Sequence, residues 1–320
     1  MSNSPLIEKQ KAYLLQCQLP SGAFRLSPKS DRINPYFANL ALLPLVILGE
    51  YDAVARYLDW YIQHLNRDGY INDFRLQGGI ELDTGKADSE DSYHTTFFSL
   101  LASYVEQSGR RSVITAYSKE LATMLHAVLR LQQTDGLTWA KRSWKVKYLM
   151  DNCEVWKGLQ DISSLFALIG EQALAELAMK AARHCETGLK GMYSAKRKSY
   201  AVYDRVYPKW HKWYPDATSQ AFPLLYGLLS PSSAEARELY QQLLLHFPDF
   251  QSFWTGDFYP WMIMGQYAWL MDDANRVARM LAVAEELYIY GPRSGYWLIH
   301  EAARYLMLKL YLEGDLPGPE

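Results

Sequence analysis

The sequence predicts an all-α fold, an (α/α)6 toroid. Six helical hairpins would set an inner ring of apolar helices inside an outer ring of amphipathic ones. Three observations carry this. Glycine turns recur along the chain, two kinds of helix alternate between them, and acidic residues recur where the more apolar helix of a pair begins. A period of about 50 residues signals repeated supersecondary units.

The turns read Pro20-Ser21-Gly22-Ala23-Phe24, Arg67-Asp68-Gly69-Tyr70-Ile71, Thr134-Asp135-Gly136-Leu137-Thr138-Trp139, Lys190-Gly191-Met192-Tyr193 and Arg293-Ser294-Gly295-Tyr296-Trp297. A weaker version, Phe253-Trp254-Thr255-Gly256-Asp257, fits the fifth slot. Glycine is expected to supply the positive φ of such turns.

The first helix of each pair is amphipathic. From Val113 to Gln132 the apolar residues Ile114, Tyr117, Leu121, Leu125 and Val128 fall at three- and four-residue steps, with Lys119, Glu120 and Arg130 elsewhere. Arg237 to His246 and Arg276 to Tyr288 read the same way. The second helix is apolar nearly all round: Tyr36 to Leu48, Thr95 to Val105, Val155 to Ile169, Ala221 to Leu229, Trp261 to Met271 and Trp297 to Leu312. A helix without a polar face must be surrounded by protein, so these form the inner ring.

At 320 residues the chain allows one large domain or two small ones. The repeat runs nearly end to end with no Pro/Ser/Gly-rich linker. A single domain over 1–313 is expected, with a frayed tail over 314–320. A hydrophobic share of 49% and 14% aromatics can fill a sizeable core. A formal net charge of −2 argues against nucleic acid as a partner. No run of about 18 apolar residues suggests a membrane span. Met1-Ser2-Asn3-Ser4-Pro5 lacks the pattern of a secretory signal, so a cytoplasmic location is expected. Cys17, Cys153 and Cys185 are widely spaced and read as buried thiols. No metal or cofactor is expected.

The inner helices start at Asn34-Pro35-Tyr36, Asp91-Ser92-Tyr93-His94, Asp151-Asn152-Cys153-Glu154, Asp216-Ala217-Thr218-Ser219, Asp257-Phe258-Tyr259-Pro260 and Tyr296-Trp297, with Glu301 just inside the last. One face of a ring would then collect Asp88, Glu90, Asp91, Asp151, Glu154, Asp216 and Asp257. Each Asp is also a preferred helix N-cap, so capping alone explains any one of them. Several carboxylates converging on one concavity would raise at least one pKa. That yields the protonated acid that cleavage of a glycosidic bond needs.

Tyr148-Leu149-Met150-Asp151-Asn152-Cys153-Glu154-Val155-Trp156 resembles the inner-helix start of six-hairpin glycosidases of the unsaturated uronyl hydrolase type. Ser219-Gln220-Ala221-Phe222 with Tyr226-Gly227-Leu228 is similar to their Gly-Gln-Ala-Trp…Tyr-Gly stretch. Thr218 stands where those enzymes carry Arg, and Ser219 replaces the Gly. The resemblance implies a catalytic Asp at Asp151 and a second one within Asp88 to Phe98.

Aromatic residues support a sugar site, because sugar rings present C–H faces that stack on indoles and phenols. Trp139, Trp144, Trp156, Trp210, Trp213, Tyr214, Trp254, Trp261 and Trp297 lie in turns or at inner-helix starts. Their other reading is as plugs of the toroid's centre. Lys141, Arg142, Lys145 and Lys147 precede Asp151, and Lys196, Arg197, Lys198, Arg205, Lys209, His211 and Lys212 precede Asp216. Solvated charge explains such runs; their functional reading is an anionic glycan.

The reading is therefore a glycoside hydrolase acting on an oligosaccharide, with the basic loops leaving room for acidic substituents on it. Asp151 is the principal acid, Asp91 its partner and Asp88 the reserve. Tyr36, Tyr93, His94, Trp139, Trp144, Glu154, Trp156, Tyr214, Asp216, Gln220, Trp254, Asp257 and Trp297 are the substrate-binding candidates. Neighbouring inner helices pack about 8–10 Å apart, which admits an inverting geometry with a water between two carboxyl groups. One alternative is a sugar epimerase using His94 and His300, each of which also reads as a satisfied core residue. The other is an open, non-catalytic glycan-binding array.

Overall fold

The computed structural model describes residues 4–314. Its residues group into two compact units. One is Leu15–Gly191; the other joins the chain up to Leu14 with the chain from Met192 onward.

In Leu15–Gly191 the helices are Pro35–Ala41 with Leu43–Ile47, Tyr51–Gln63, Asp91–Ser108, Ser112–Ala116 with Ser118–Leu131, Leu149–Leu168 and Gln172–Gly191. The alternation read from the sequence holds. Asp91–Ser108 is buried without a break from Asp91 to Phe98. Ser118–Leu131 instead buries one stripe, Leu121, Met124, Leu125, Ala127, Val128 and Leu131. Burying each large apolar side chain is worth roughly 1.5–3 kcal/mol, so the stripe decides which way the helix faces. Helices Asp91–Ser108 and Leu149–Leu168 meet where Gly158 faces Thr95. A Cβ at Gly158 would lie 2.3 Å from the Thr95 carbonyl oxygen, so only glycine permits the approach.

The helix starts follow capping chemistry. Asn34 caps Pro35–Ala41, its Oδ1 accepting from the Phe37 N–H at 2.9 Å, and Pro35 takes a first-turn position that needs no N–H. Ser233 caps Ala234–His246 through the Ala236 N–H, and Asp273 caps Ala274–Ala284 through the Arg276 N–H.

Between the helices of Leu15–Gly191 lies a small antiparallel sheet in the order Arg32–Ile33, Phe74–Gln77, Ile80–Asp83. Phe74 pairs with both Ile33 and Asp83. Gly78 and Gly79, at φ 59° and 83°, turn the hairpin. This Gly-Gly pair is a two-residue hairpin signal that the helical reading passes over.

The other unit contains Phe222–Leu225, Ala234–His246, Ile263–Leu270, Ala274–Ala284 and Ile299–Leu312. The helix Pro5–Gln16 begins within it and is tied to the start of the last helix. The Trp297 indole N–H donates to Gln10 Oε1 at 3.0 Å, and the Tyr13 hydroxyl donates to the Trp297 carbonyl.

Some expected bounds shift. Ala221 to Leu229 shrinks to Phe222–Leu225, because Pro223 must sit in a first turn and Gly227 turns left-handed at φ 81°. Trp261 is left-handed at φ 48° and so stands outside Ile263–Leu270. Gly22, Gly69, Gly136 and Gly256 have the expected positive φ; Gly191 and Gly295 do not. Gly191 ends the helix Gln172–Gly191, and Gly295 sits in a single 3-10 turn. The tail beyond Gly314 lies outside the described residues. No described helix is long and apolar enough to cross a membrane.

Candidate active site

Within Leu15–Gly191 the starts of two inner helices bring carboxylates together. Asp91 opens Asp91–Ser108, and Asp151 lies in the first turn of Leu149–Leu168. Asp91 is 0% exposed. Its Oδ1 accepts from Ser89 Oγ at 2.5 Å and from the Ser92 N–H at 2.8 Å, and its Oδ2 accepts from Thr138 Oγ1 at 2.6 Å. Burial pushes Asp91 up to about 6, against the pull of the Ser89 and Thr138 hydrogen bonds.

Asp151 keeps partial exposure. Its Oδ2 lies 3.3 Å from Ser89 Oγ. Burial holds it well above the usual carboxylate range, and the charges of Asp91, Glu154 and Asp88 push the same way. Glu154, one turn on, is buried and accepts from the Tyr36 hydroxyl at 2.7 Å. Asp151 is thus raised by burial and by its acidic neighbours, while Asp91 has the donors that stabilise a charge. Asp88 is exposed on the same loop as Ser89.

A cavity of about 720 Å³ adjoins this loop. Asp88 and Glu90 line it together with Asn34, Asp73, Arg32, Lys86 and Lys141. Asp73 is a residue that sequence reasoning missed. It directly precedes the strand Phe74–Gln77, and a lone Asp before a short strand carries no pattern. Its Oδ1 accepts from the Tyr93 hydroxyl at 2.8 Å and from Asn34 Nδ2 at 2.9 Å. Burial raises it to about 6. Tyr93, expected at the substrate, is buried, and its hydroxyl also accepts from Asn34 Nδ2 at 2.7 Å. Tyr36 stacks on Tyr93 with centroids 6.0 Å apart. Ser89, Thr138 and Asn152 are further polar residues that the reading missed. Only their neighbourhood to the acidic starts could have flagged them.

His94 belongs to the core. It is fully buried, with Nε2 2.7 Å from the Gly69 carbonyl and Nδ1 3.0 Å from the Tyr61 hydroxyl. The carbonyl can only accept, so Nε2 carries the proton and Nδ1 accepts. Burial lowers its pKa to about 4. It is therefore a neutral packing residue, stacked on Tyr70.

The basic loop before Asp151 is largely engaged by its own protein. Arg142 pairs with Glu90 at 3.0 Å and Asp68 at 2.7 Å, Lys147 with Asp135 at 2.5 Å, and Lys141 Nζ donates to the Ala87 carbonyl at 2.8 Å. Lys145 lies over the ring of Trp139, 4.7 Å from its centroid. Trp144 is exposed and donates to the Tyr148 hydroxyl at 3.0 Å. Trp156 is partly exposed on Leu149–Leu168.

The second unit holds the remaining candidates. Tyr214 stacks on Trp261 at 4.9 Å, and the Trp261 indole N–H donates to Asp257 Oδ2 at 2.8 Å. Trp254 is 80% exposed at its turn. Asp216 accepts from the Lys209 N–H at 2.8 Å, a loop-closing bond. Gln220 is buried and clamps the backbone of Tyr200 with both amide atoms, and Trp297 is buried against Gln10. Both side chains are hydrogen-bonded within the protein. His300, the second histidine of the epimerase alternative, lies here in a cluster with Glu301 and Tyr259. Tyr259 hydrogen-bonds His300 Nε2, which is 3.2 Å from Glu301 Oε1, and Glu301 Oε2 accepts from the Met262 N–H at 2.6 Å. Both His300 and Glu301 are buried.

No family model matches the chain, and no curated protein matches it. Solved structures do. A glycosidase in complex with glucose is 11% identical, with a TM-score of 0.74 over 98% of this chain and 97% of that one. A rhamnosidase from Klebsiella oxytoca with rhamnose bound is 12% identical, with a TM-score of 0.68 over 97% of this chain and 65% of that one. A GH63 mannosylglycerate hydrolase from Thermus thermophilus, in complex with glucose, is 12% identical, with a TM-score of 0.65 over 95% of this chain and 99% of that one. The likeness spans nearly the whole chain and shows the fold, the all-α toroid that the sequence predicts.

Proposed function

We propose that this protein is a glycoside hydrolase acting on an oligosaccharide, with Asp151 as its general acid. One observation carries the assignment. Burial and neighbouring carboxylates raise Asp151 well above the usual carboxylate range, as a general acid requires, and it is still partly open to solvent. The likeness in fold to three sugar-bound glycoside hydrolases supports the same reading.

In the reaction Asp151 gives its proton to the glycosidic oxygen as the bond to the sugar breaks. Asp91 has no solvent exposure and three fixed donors, so it acts through Ser89 as a positioning residue. Of the three carboxylates whose charges act on Asp151, Asp88 is the exposed one, and it takes the second role. Epimerase chemistry with His94 finds no support, since both ring nitrogens are already committed. The paired state of Arg142 and Lys147 favours a neutral oligosaccharide over a strongly anionic one.

The test is a hydrolysis screen over neutral and uronate-bearing oligosaccharides, followed by Asp151→Asn on the best substrate. Turnover should fall at least about 100-fold, in line with general acid catalysis. A variant that keeps near-wild-type turnover while its melting temperature drops would mark Asp151 as a helix cap and end the assignment.

A further inference from the structure

We propose that the cavity beside Asp73 is a second sugar subsite, and that Asp73 is its specificity-determining residue. This rests on the glycosidase reading above and adds to it where a second neutral sugar unit sits and which residue selects it.

The cavity, about 720 Å³, falls in the size range of small-molecule sites. Its wall contains one carboxylate aligned in advance. Tyr93 and Asn34, both buried, hold Asp73 Oδ1 with hydrogen bonds of 2.8 and 2.9 Å. Among the described residues nothing donates to Asp73 Oδ2, and Asp73 is partly exposed where it lines the cavity. A carboxylate held by one oxygen keeps the other for a ligand donor. Because the protein has already oriented it, little ordering remains to be done on binding.

The rest of the wall suits hydroxyl groups. Arg32 and Lys86 line the cavity and form no salt bridge with a described residue, so they can donate to hydroxyl or ring oxygens. Carboxylates Asp73, Asp88 and Glu90 stand against cations Arg32, Lys86, Lys141 and Arg142, so the wall is close to charge balance. Such a surface recognises an uncharged polyol by hydrogen bonds rather than an ion by its charge. A site built this way discriminates strongly against an analogue lacking the hydroxyl.

The position relative to Asp151 follows from the loop. Asp88 lines the cavity, and the next residue, Ser89, reaches Asp151 at 3.3 Å. A sugar in the cavity is therefore a neighbour of the sugar whose bond Asp151 would break.

The test titrates the full chain with glucose and with the neutral diglucosides maltose, isomaltose and cellobiose, read by saturation-transfer NMR. The titrations use the Asp151→Asn background and are read before glucose accumulates. At least one diglucoside should bind tenfold or more tightly than glucose. Adding Asp73→Ala should erase that gap while glucose binding stays the same, and Lys86→Met, at an exposed position, should narrow it severalfold. The inference is overturned if no diglucoside outbinds glucose, or if folded Asp73→Ala protein keeps the gap. Should Asp73→Ala not fold, an unchanged gap in Lys86→Met overturns it instead. The two readings fail separately. Undiminished hydrolysis by Asp151→Asn with an Asp73-dependent gap removes the acid assignment and leaves the subsite; lost hydrolysis without a gap does the reverse.

Discussion

Asp91 and Asp151 are joined through a single hydroxyl. Ser89 Oγ lies 2.5 Å from Asp91 Oδ1 and 3.3 Å from Asp151 Oδ2, and it accepts from Ser92 Oγ at 2.8 Å. A hydroxyl has one proton to give. Its donation is shared between the two carboxyl groups, and Asp91 is the nearer acceptor. Asp91, with three donors around it, is the group better stabilised as a carboxylate.

Ser89→Ala tests this link. The Ser89 hydrogen bond lowers the pKa of Asp151, so its removal should raise that pKa further. A general acid works only while protonated, so the alkaline limb of the kcat/KM profile should move to higher pH. Turnover should fall about tenfold, since the geometry of the pair loosens. Ser89→Thr should restore both. An alkaline limb that stays in place in Ser89→Ala would show that Asp151 is not coupled through this hydroxyl.

Asp73 and His94 should tilt stability in opposite directions with pH. Asp73 is raised to about 6 from an ordinary value near 3.8. Between those values the folded state binds more protons than the unfolded one, so this contribution falls as pH rises from about 4 to 6. His94 is lowered to about 4 from 6.5, so the unfolded state binds more protons there. Its contribution is complete above pH 6.5 and is lost as pH falls toward 4. Thermal melts of Asp73→Asn and His94→Gln across that window should depart from the wild type with opposite slopes. Equal slopes in the wild type and both variants would contradict the burial described for these groups.

Gly158→Ala should destabilise the fold by roughly 1–3 kcal/mol, the usual cost of overpacking a close contact. The added Cβ would meet Thr95 at its carbonyl oxygen, Cβ and Cα, all within 2.6 Å, and backbone cannot swing aside as a side chain can. Chemical denaturation measures it. Gly49→Ala is a weaker control: a Cβ there meets nothing within 4 Å, and the cost is only that of its left-handed φ of 79°. If Gly158→Ala is no worse than Gly49→Ala, the approach of the two inner helices is looser than described.

Much of this architecture is legible without coordinates because it is local. The stripe Leu121, Leu125 and Val128 against the unbroken burial from Asp91 to Phe98 reflects the 3.6-residue period alone. Asp151 is legible in the same way, since an acidic residue at the start of an apolar helix shows within a short stretch of chain. The hairpin at Gly78-Gly79 is legible too, but two short strands in a helical chain are easily read as loop.

The alternation of helices, their capped starts and the carboxylates standing there are thus written in the chain itself, because each depends on neighbours within a turn or two. Which carboxylate meets solvent is settled only once the chain has packed. Asp91 and Asp151 occupy similar places on their helices, yet Thr138, 47 residues away, closes over Asp91. Asp73 gains its role from Asn34 and Tyr93, 39 and 20 residues distant in opposite directions. His94 loses its expected role to Gly69, 25 residues before it. Whether a polar group is a ligand, a cap or a piece of core depends on which distant donors satisfy it and how much water they exclude, and no local pattern encodes that.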